Sequence, residues 1–206
     1  MRIISGQYRG LTIKTLKGGK LRPTSEQLRE TLFDVLGPSV EGSRFLDTFA
    51  GSGAVGIEAL SRGASDVVFI EHHRPAAELI RQNLAALKIE AGFFLLTCAV
   101  FTGLERLAEQ GEQFDFVFLD PPYDAIREYH QTLRELGRSK LLIPASVVIA
   151  EHSRHTRLED EYAALRQSRL IRHGDAQLAF YRLAPDSAWG GNGRPFLDVS
   201  GPLPLL

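Results

Sequence analysis

The tetrapeptide Asp120-Pro121-Pro122-Tyr123 follows the apolar run 114–119 and brings together a carboxylate, two proline carbonyls and an aromatic ring. A residue before proline favours extended backbone, and two prolines cannot continue a sheet ladder, so the chain leaves a sheet here. Asp120 and the Pro121 carbonyl can accept hydrogen bonds from the two N–H groups of a planar amine, and Tyr123 can stack on the attached ring. We therefore predict that Asp120, Pro121, Pro122 and Tyr123 form a catalytic site at the mouth of a strand.

A glycine-rich turn, Ala50-Gly51-Ser52-Gly53, lies between an apolar strand that ends at Asp47 and a following helix. Glycines let a ligand approach the backbone, and a helix N-terminus offers free N–H groups. The Asp47 carboxylate would repel a dinucleotide pyrophosphate but can receive an ammonium group, so S-adenosylmethionine fits and NAD fits poorly. Glu71, 24 residues after Asp47 at the end of the next strand, is within reach of ribose hydroxyls. The predicted cofactor contacts are Asp47, Phe49, Ala50, Gly51, Ser52, Gly53 and Glu71; the alternative is a tight turn without a ligand.

The charge of the chain is unevenly distributed. The formal net charge is −1, yet residues 1–29 carry seven Lys and Arg residues against Glu26 alone. A basic arm on an acidic body indicates a polyanionic partner, because Lys and Arg contacts to phosphate dominate nucleic-acid affinity. The RNA-binding candidates are Arg2, Arg9, Lys14 and Arg22. On charge alone, a solvated polar hairpin explains the arm equally well.

Several classes of protein are disfavoured by composition. The single cysteine, Cys98, cannot form an internal disulfide, and no Cys/His cluster has the spacing of metal ligands. There is no apolar run near ~18 residues, and the N-terminus does not resemble a secretory signal. We expect a soluble, cytoplasmic protein without a metal or a membrane contact.

The residues that position these groups alternate between strand-like and helix-like segments from Phe45 onward, which is typical of a mainly parallel sheet covered by helices on both faces. Thr24 and Gln27 resemble a capping box for the first helix. The last two strands flank a turn at 173–176 and should form a terminal antiparallel hairpin. The predicted strands, about seven, lie near 44–49, 66–71, 92–97, 114–119, 146–151, 165–172 and 177–183. The predicted helices lie near 25–36, 54–62, 74–88, 101–110, 125–138 and 155–164.

We divide the 206 residues into three parts. Residues 1–22 are a basic N-terminal hairpin extension, expected outside the main fold. Residues 23–183 form the α/β domain. Residues 184–206 are a Pro- and Gly-rich tail.

The order of several motifs resembles the bacterial 16S ribosomal RNA guanine-N2 methyltransferases of the RsmD type. The resemblance covers roughly residues 1–183. It implies a Rossmann-like fold of the S-adenosylmethionine-dependent methyltransferases and an N-terminal extension that engages RNA. It also implies methyl transfer to guanine N2 in 16S ribosomal RNA, within the small subunit or its assembly intermediate. Nothing in the sequence demands more than a monomer, which is our expectation. The motifs are Arg2-Ile3-Ile4-Ser5-Gly6, Tyr8-Arg9-Gly10, Arg22-Pro23-Thr24, Arg29-Glu30-Thr31-Leu32-Phe33, Leu46-Asp47-Thr48-Phe49-Ala50-Gly51-Ser52-Gly53, Asp120-Pro121-Pro122-Tyr123 and Glu151-His152-Ser153.

The resemblance adds Thr24, Cys98 and Ala99 to the predicted cofactor contacts. Thr24 precedes a helix that closes one wall of the cofactor pocket in the family. After the third strand the family usually has an acidic residue near the cofactor adenine, where this chain has Thr97-Cys98-Ala99. A thiol is a poor acceptor for the adenine amine, so this contact departs from the pattern.

Two other functions stay open at this point. Asp-Pro-Pro-Tyr also suits adenine N6 in DNA, although the chain has no obvious separate domain for reading duplex sequence. A non-catalytic RNA-binding assembly factor could retain the same fold.

Overall fold

The computed structural model describes residues 1–15, 25–122 and 125–185 of the chain. The α-helices in these ranges are α1 Glu26–Leu36, α2 Ala54–Ser61, α3 Arg74–Ala86, α4 Val100–Glu109 and α5 Ile126–Leu136. The strands are β1 Arg44–Asp47, β2 Asp66–Ile70, β3 Phe93–Leu96, β4 Phe114–Leu119, β5 Leu142–Ser153, β6 Glu161–Tyr162, β7 Leu165–His173 and β8 Ala176–Leu183. None of the helices among these residues is long and apolar enough to cross a membrane.

All eight strands form one sheet in the order β3-β2-β1-β4-β5-β8-β7-β6. The first five strands are parallel, and β8, β7 and β6 are added in antiparallel orientation. The predicted Rossmann-like architecture with a terminal antiparallel hairpin is therefore confirmed.

Helices cover both faces of the sheet because the central strands are apolar on both sides. The neighbouring β1 residues Phe45 and Leu46 are both fully buried, and they belong to two different apolar clusters. The Phe45 cluster contains residues of α1, α2 and α3. The Leu46 cluster contains residues of α4 and α5. A strand whose two faces are buried lacks polar alternation, as expected for parallel sheets.

The predicted helix over 155–164 is wrong. This segment contains turns and the two-residue strand β6, whose Tyr162 pairs with Leu165 of β7 across Ala163, a residue with φ 53°. Burial of Tyr162 and Leu165 and pairing with β7 override the local helical preference of the sequence. The strand count is eight for this reason.

The predicted capping residue of the first helix is also wrong. The N-cap of α1 is Ser25, whose hydroxyl oxygen accepts a hydrogen bond from the Leu28 N–H at 3.1 Å. Thr24 lies outside the described residues. Serine and threonine are both favoured caps, so the two adjacent positions offered competing helix starts.

The N-terminal segment 1–15 lies outside the sheet but packs on the domain. Its two ends meet in a single β-bridge between Arg2 and Thr12. Ile3 and Ile13 are 3% and 2% exposed and belong to the core around α1 and α2. The division of the chain at residues 22 and 183 stays a prediction, because 16–24 and 186–206 lie outside the described residues.

A buried carboxylate fastens this segment to the domain. Glu58 of α2 is fully buried and accepts hydrogen bonds from the backbone N–H groups of Ile4, at 2.9 Å, and Ser5, at 3.0 Å. The Arg62 Nε–H donates to the same carboxylate at 2.9 Å, and the Nε of the fully buried Arg29 lies 3.4 Å away. The charge of Glu58 is therefore compensated from α1, α2 and the N-terminal segment together.

We predict that Glu58→Ala lowers the free energy of unfolding by about 3–5 kcal/mol, because it leaves Arg29 buried without its partner. Urea unfolding followed by circular dichroism measures this change. Glu135→Ala, at an exposed position of α5, is the matched control and should change stability by no more than about 0.5 kcal/mol. A loss below about 1 kcal/mol in Glu58→Ala would show that the carboxylate is not a structural anchor.

Candidate active site

The polar residues predicted from sequence meet at the carboxyl edge of the parallel strands. Asp47 ends β1, Glu71 follows β2 and Asp120 follows β4. Because β1 and β4 are neighbours, the loops that follow them start side by side. Thr48, the first residue after β1, is bound to the end of β4: its backbone N–H and its hydroxyl both donate to the Phe118 carbonyl, at 3.0 and 2.8 Å. The edge of an open α/β sheet where connections diverge to both faces is where such folds bind ligands.

The glycine-rich turn has the backbone shape that its glycines allow. Gly51 and Gly53 have φ of +54° and +78°, in the left-handed region that side chains rarely adopt. A Cβ on Gly53 would lie 3.2 Å from Ile80, so this residue packs against α3. A Cβ on Gly51 would have only the Phe49 carbonyl oxygen near it, at 4.0 Å. The backbone therefore has space for a ligand at Gly51, whereas at Gly53 the Ile80 side chain fills the space.

The carboxylates of Asp47 and Glu71 accept hydrogen bonds from backbone N–H groups in and after this turn. The Asp47 Oδ2 accepts a hydrogen bond from the Gly56 N–H at 3.1 Å. The Glu71 oxygens accept from the N–H groups of Gly51, at 2.8 Å, and His73, at 2.7 Å. A carboxylate has about four acceptor positions, so each group retains capacity for a ligand. Ala50 and Ser52 lie in the same turn, and the half-buried Phe49 packs against the second core.

The pKa of Asp47 is raised from its usual 3.8 to about 7, mainly by burial; the Gly56 N–H opposes this rise, and the nearby charge of Glu71 adds to it. The Asp47 side chain is 2% exposed and has no cation beside it among the described residues. A positively charged group placed next to Asp47 would relieve this unfavourable ionisation. The electrostatics thus favour a cationic ligand group at this position.

The third strand contributes less to the site. Cys98 is half-buried against the second core, and burial raises the pKa of its thiol, so it is neutral at pH 7. Ala99 is exposed and precedes α4 as its N-cap residue. Neither side chain can replace a carboxylate as an acceptor, so a contact to an adenine amine would have to come from the backbone.

The strand-end tetrapeptide is described as far as Pro122. The Asp120 side chain is half-buried, and Pro121 is buried. The hydroxyl oxygen of Tyr129 lies 2.7 Å from the Glu151 carbonyl and 3.2 Å from the Pro121 carbonyl. A hydroxyl has one proton, and the shorter contact is to Glu151, so the Pro121 oxygen keeps acceptor capacity for a ligand amine. Tyr123 lies outside the described residues.

The RNA-binding candidates in the N-terminal segment are exposed. Arg9 and Lys14 present their side chains to solvent, and Arg2 lies 4.0 Å from Glu26 at the surface. Arg22, like Thr24, lies outside the described residues. The role of the four basic residues stays a prediction.

Asn83 is a site residue that sequence reasoning missed. Its side-chain amide is 2% exposed; the oxygen accepts from the Lys14 N–H at 2.9 Å, and the nitrogen donates to the Lys14 and Ser52 carbonyls at 3.0 Å each. The amide therefore joins the N-terminal segment to the glycine-rich turn. The available signal was a polar residue in the apolar stripe of α3, between Ile80 and Leu84.

We predict that the pKa of Asp47 makes the free protein less stable as pH rises. Its folded pKa lies above its unfolded pKa, so the folded state binds the proton more tightly between pH 4 and 7, and the stability gained by protonation is lost as pH rises through about 7. In Asp47→Asn this loss is absent, so its free energy of unfolding relative to wild type should increase by about 3 kcal/mol between pH 5 and pH 8. Denaturant unfolding at the two pH values measures it.

Asp34→Asn, at an exposed position of α1, is the matched control and should keep the wild-type pH dependence. An Asp47→Asn profile parallel to that of wild type would contradict the assigned ionisation.

The chain is similar to known proteins over most of its length. A family model described as Conserved hypothetical protein 95 matches residues 1–182. YlbH of Bacillus subtilis, provisionally named an rRNA methyltransferase, is 32% identical over 182 residues, which cover 88% of this chain and 98% of that protein. Ribosomal RNA small subunit methyltransferase D of Haemophilus influenzae is 39% identical over 151 residues, 73% of this chain and 78% of that protein. The protein of the same name in Escherichia coli is 41% identical over 123 residues, 60% of each chain.

Solved structures give the same result. The structure of yhhF from Escherichia coli, provisionally named a methyltransferase, has a TM-score of 0.77 and 30% identity, and covers 89% of this chain and 97% of that one. The membership predicted from the order of the motifs is thus confirmed. From the family match and from the relatives whose length it covers, we conclude that the chain belongs to the Conserved hypothetical protein 95 family, together with the small subunit methyltransferases D.

Proposed function

We propose that this protein transfers a methyl group from S-adenosylmethionine to the exocyclic N2 amine of a guanine in 16S ribosomal RNA. The observation that carries the proposal is the juxtaposition made by Thr48, whose hydrogen bonds to Phe118 hold the glycine-rich turn beside Asp120. The choice of ribosomal RNA rests on the relatives named small subunit methyltransferase D.

The residues at the turn fit the cofactor group by group. Asp47 offers a buried carboxylate that a ligand ammonium would stabilise in its charged form. Glu71 keeps acceptor positions for ribose hydroxyls beside the two backbone N–H groups that it already binds. The open space at Gly51 admits a ligand against the backbone. When bound, S-adenosylmethionine supplies an electrophilic methyl group on a positively charged sulfur.

Asp120 and the Pro121 carbonyl perform the orienting step. The lone pair of an exocyclic base amine is delocalised into the ring, so the nitrogen is a poor nucleophile until its hydrogens are held. The Asp120 carboxylate and the Pro121 oxygen accept hydrogen bonds from the two N–H groups of the amine. These bonds direct the nitrogen lone pair out of the ring plane. Tyr123, two residues after Pro121 in the chain, is proposed to stack on the base, which must be unstacked from its neighbours first.

The substrate partner and setting complete the proposal. The exposed Arg9 and Lys14, with Arg2 and Arg22, would contact phosphates of the RNA. We place the reaction in the cytoplasm, on the small subunit or its assembly intermediate, with the protein acting as a monomer. Guanine N2 is preferred over adenine N6 by the relatives rather than by the acceptor groups, which suit both amines.

The experiment is transfer of radiolabelled methyl to undermethylated 30S subunits, with naked DNA as control and mass spectrometry of the labelled nucleoside. We expect N2-methylguanosine in the RNA and no label in the DNA. Label in DNA would instead indicate an adenine-N6 DNA methyltransferase. Tight RNA binding without any label would indicate a non-catalytic assembly factor.

We predict that Asp120→Ala reduces methyl transfer by at least about 10²-fold, because the amine loses an acceptor that orients it. S-adenosylmethionine affinity, measured by calorimetry, should stay within a few fold, since Asp120 lies after β4, whereas the predicted cofactor carboxylates end β1 and follow β2. Asp34→Ala on α1 is the control and should keep wild-type transfer. An active Asp120→Ala enzyme would exclude the orienting role.

A further inference from the structure

A polar cavity lies beside the candidate active site. It has a volume of about 390 Å³ and lies between the end of β5, the turn that follows it and the β7–β8 hairpin. The residues of its wall that matter here are His152, Arg154, Arg157, Asp160, Leu170 and Arg172.

The cavity begins next to the residues proposed to hold the base. In the β4–β5 register Leu119 pairs with Ala150. His152 lies two residues after Ala150 and Pro121 two residues after Leu119, so the two residues lie at corresponding positions along the two chain segments. The Tyr129 hydroxyl, which is 2.7 Å from the Glu151 carbonyl and 3.2 Å from the Pro121 carbonyl, connects the two chain segments. A strand whose base reaches Asp120 would therefore have this cavity along its path.

The wall is predominantly cationic. Three arginines line it against one acidic side chain, Asp160. Arg154 is paired with Asp175 at 3.1 Å. Arg157 and Arg172 are exposed, and neither makes an ion pair within the described part of the chain. Two guanidinium groups on separate elements, with no ion pair to a described residue, suit phosphate oxygens, which guanidinium binds in a planar, two-point geometry.

The turn after β5, which presents Arg154 and Arg157, is held by hydrogen bonds. The Nδ1 of His152 lies 2.9 Å from the Ser153 carbonyl and 3.1 Å from the Thr156 carbonyl, so Nδ1 carries the proton. The Arg154 N–H donates to the Asp175 carbonyl at 2.9 Å. Burial lowers the pKa of His152, so the histidine is neutral at pH 7 and the positive charge of the wall comes from arginine. A fixed turn reduces the entropy lost when a ligand is bound.

The wall also has features that a bare phosphate would not use. Leu170 is 36% exposed and offers an apolar surface to a ribose or a base. The Nε2 of His152 is buried and makes no hydrogen bond with a described residue. With Nδ1 protonated, this Nε2, on a residue of the cavity wall, is an acceptor that no described residue uses.

We propose that this cavity binds the ribose–phosphate backbone of the RNA strand beside the target nucleotide, with Arg157 and Arg172 contacting its phosphates. The inference rests on the proposed function and adds a second RNA contact on the side of the sheet edge formed by β5, β8 and β7. Strand placement is then set by this cavity as well as by the basic N-terminal segment.

The test is the salt dependence of binding to a transcript of small-subunit ribosomal RNA. Each phosphate contact contributes about 0.7–0.9 to the slope of log affinity against log salt concentration. The double variant Arg157→Gln/Arg172→Gln should therefore lower the slope by about 1.4–1.8 and raise the KM for 30S subunits about tenfold or more. The kcat should stay within a few fold, because neither arginine is assigned to the reacting amine or to the cofactor.

The matched control is Lys88→Gln/Arg138→Gln, which removes the same charge from exposed positions just after α3 and α5, at the opposite edge of the sheet. It should keep the wild-type slope within about 0.3, well under the step expected for one contact. Thermal melting of both double variants checks that each is folded.

An unchanged slope in Arg157→Gln/Arg172→Gln, or an equal drop in the control, would overturn the cavity assignment while methyl transfer by wild type still supported the proposed function. Wild type that binds the transcript without methylating it would overturn the proposed function, and the slopes would still decide whether the cavity contacts RNA.

Discussion

The hydrogen bonds from Thr48 to the Phe118 carbonyl are the interactions on which the geometry of the site depends. β1 and β4 are neighbours in the sheet, but β2 and β3 lie between them in the chain. The relative position of the loops that follow β1 and β4 therefore depends on contacts between residues far apart in sequence. The buried Thr48, which directly follows Asp47, donates both its N–H and its hydroxyl to the Phe118 carbonyl. Phe118 lies two residues before Asp120. The position of the glycine-rich turn relative to Asp120 and Pro121 is thereby fixed by two hydrogen bonds to a strand carbonyl, one from the backbone and one from a buried hydroxyl.

The strands and helices of the parallel half could be predicted because each contains its own signal. The apolar strands, the glycines at 51 and 53 and the periodic apolar positions of the helices reflect local requirements. The segment 155–164 has a local signal, a helical preference, that does not match the structure. Its conformation is decided by Tyr162 and Leu165, whose burial against the sheet becomes evident only when β7 is in place.

The buried polar residues of the site region were the hardest to predict. Glu58 and Asn83 lie on apolar helix faces, and their partners, Ser5 and Lys14, are more than fifty positions away in the chain. In both cases the partner group is backbone N–H, which every residue except proline possesses, so residue types carry no information about the pairing. The shared cavity of Arg157 and Arg172 could not be predicted either, because only the folded β7–β8 hairpin and the turn after β5 bring the two arginines to it.

The strand at the other end of the sheet has a consequence for how the molecule behaves in concentrated solution. β3 has only four residues, and no described strand pairs with its outer side; Phe94 on it is 55% exposed, and Phe101 of the following helix is 37% exposed. An unpaired edge with aromatic side chains is a template for strand addition by a second molecule. The shortness of β3 limits that template to one or two hydrogen-bonded pairs, so any self-association through this edge should be weak and reversible rather than fibrillar.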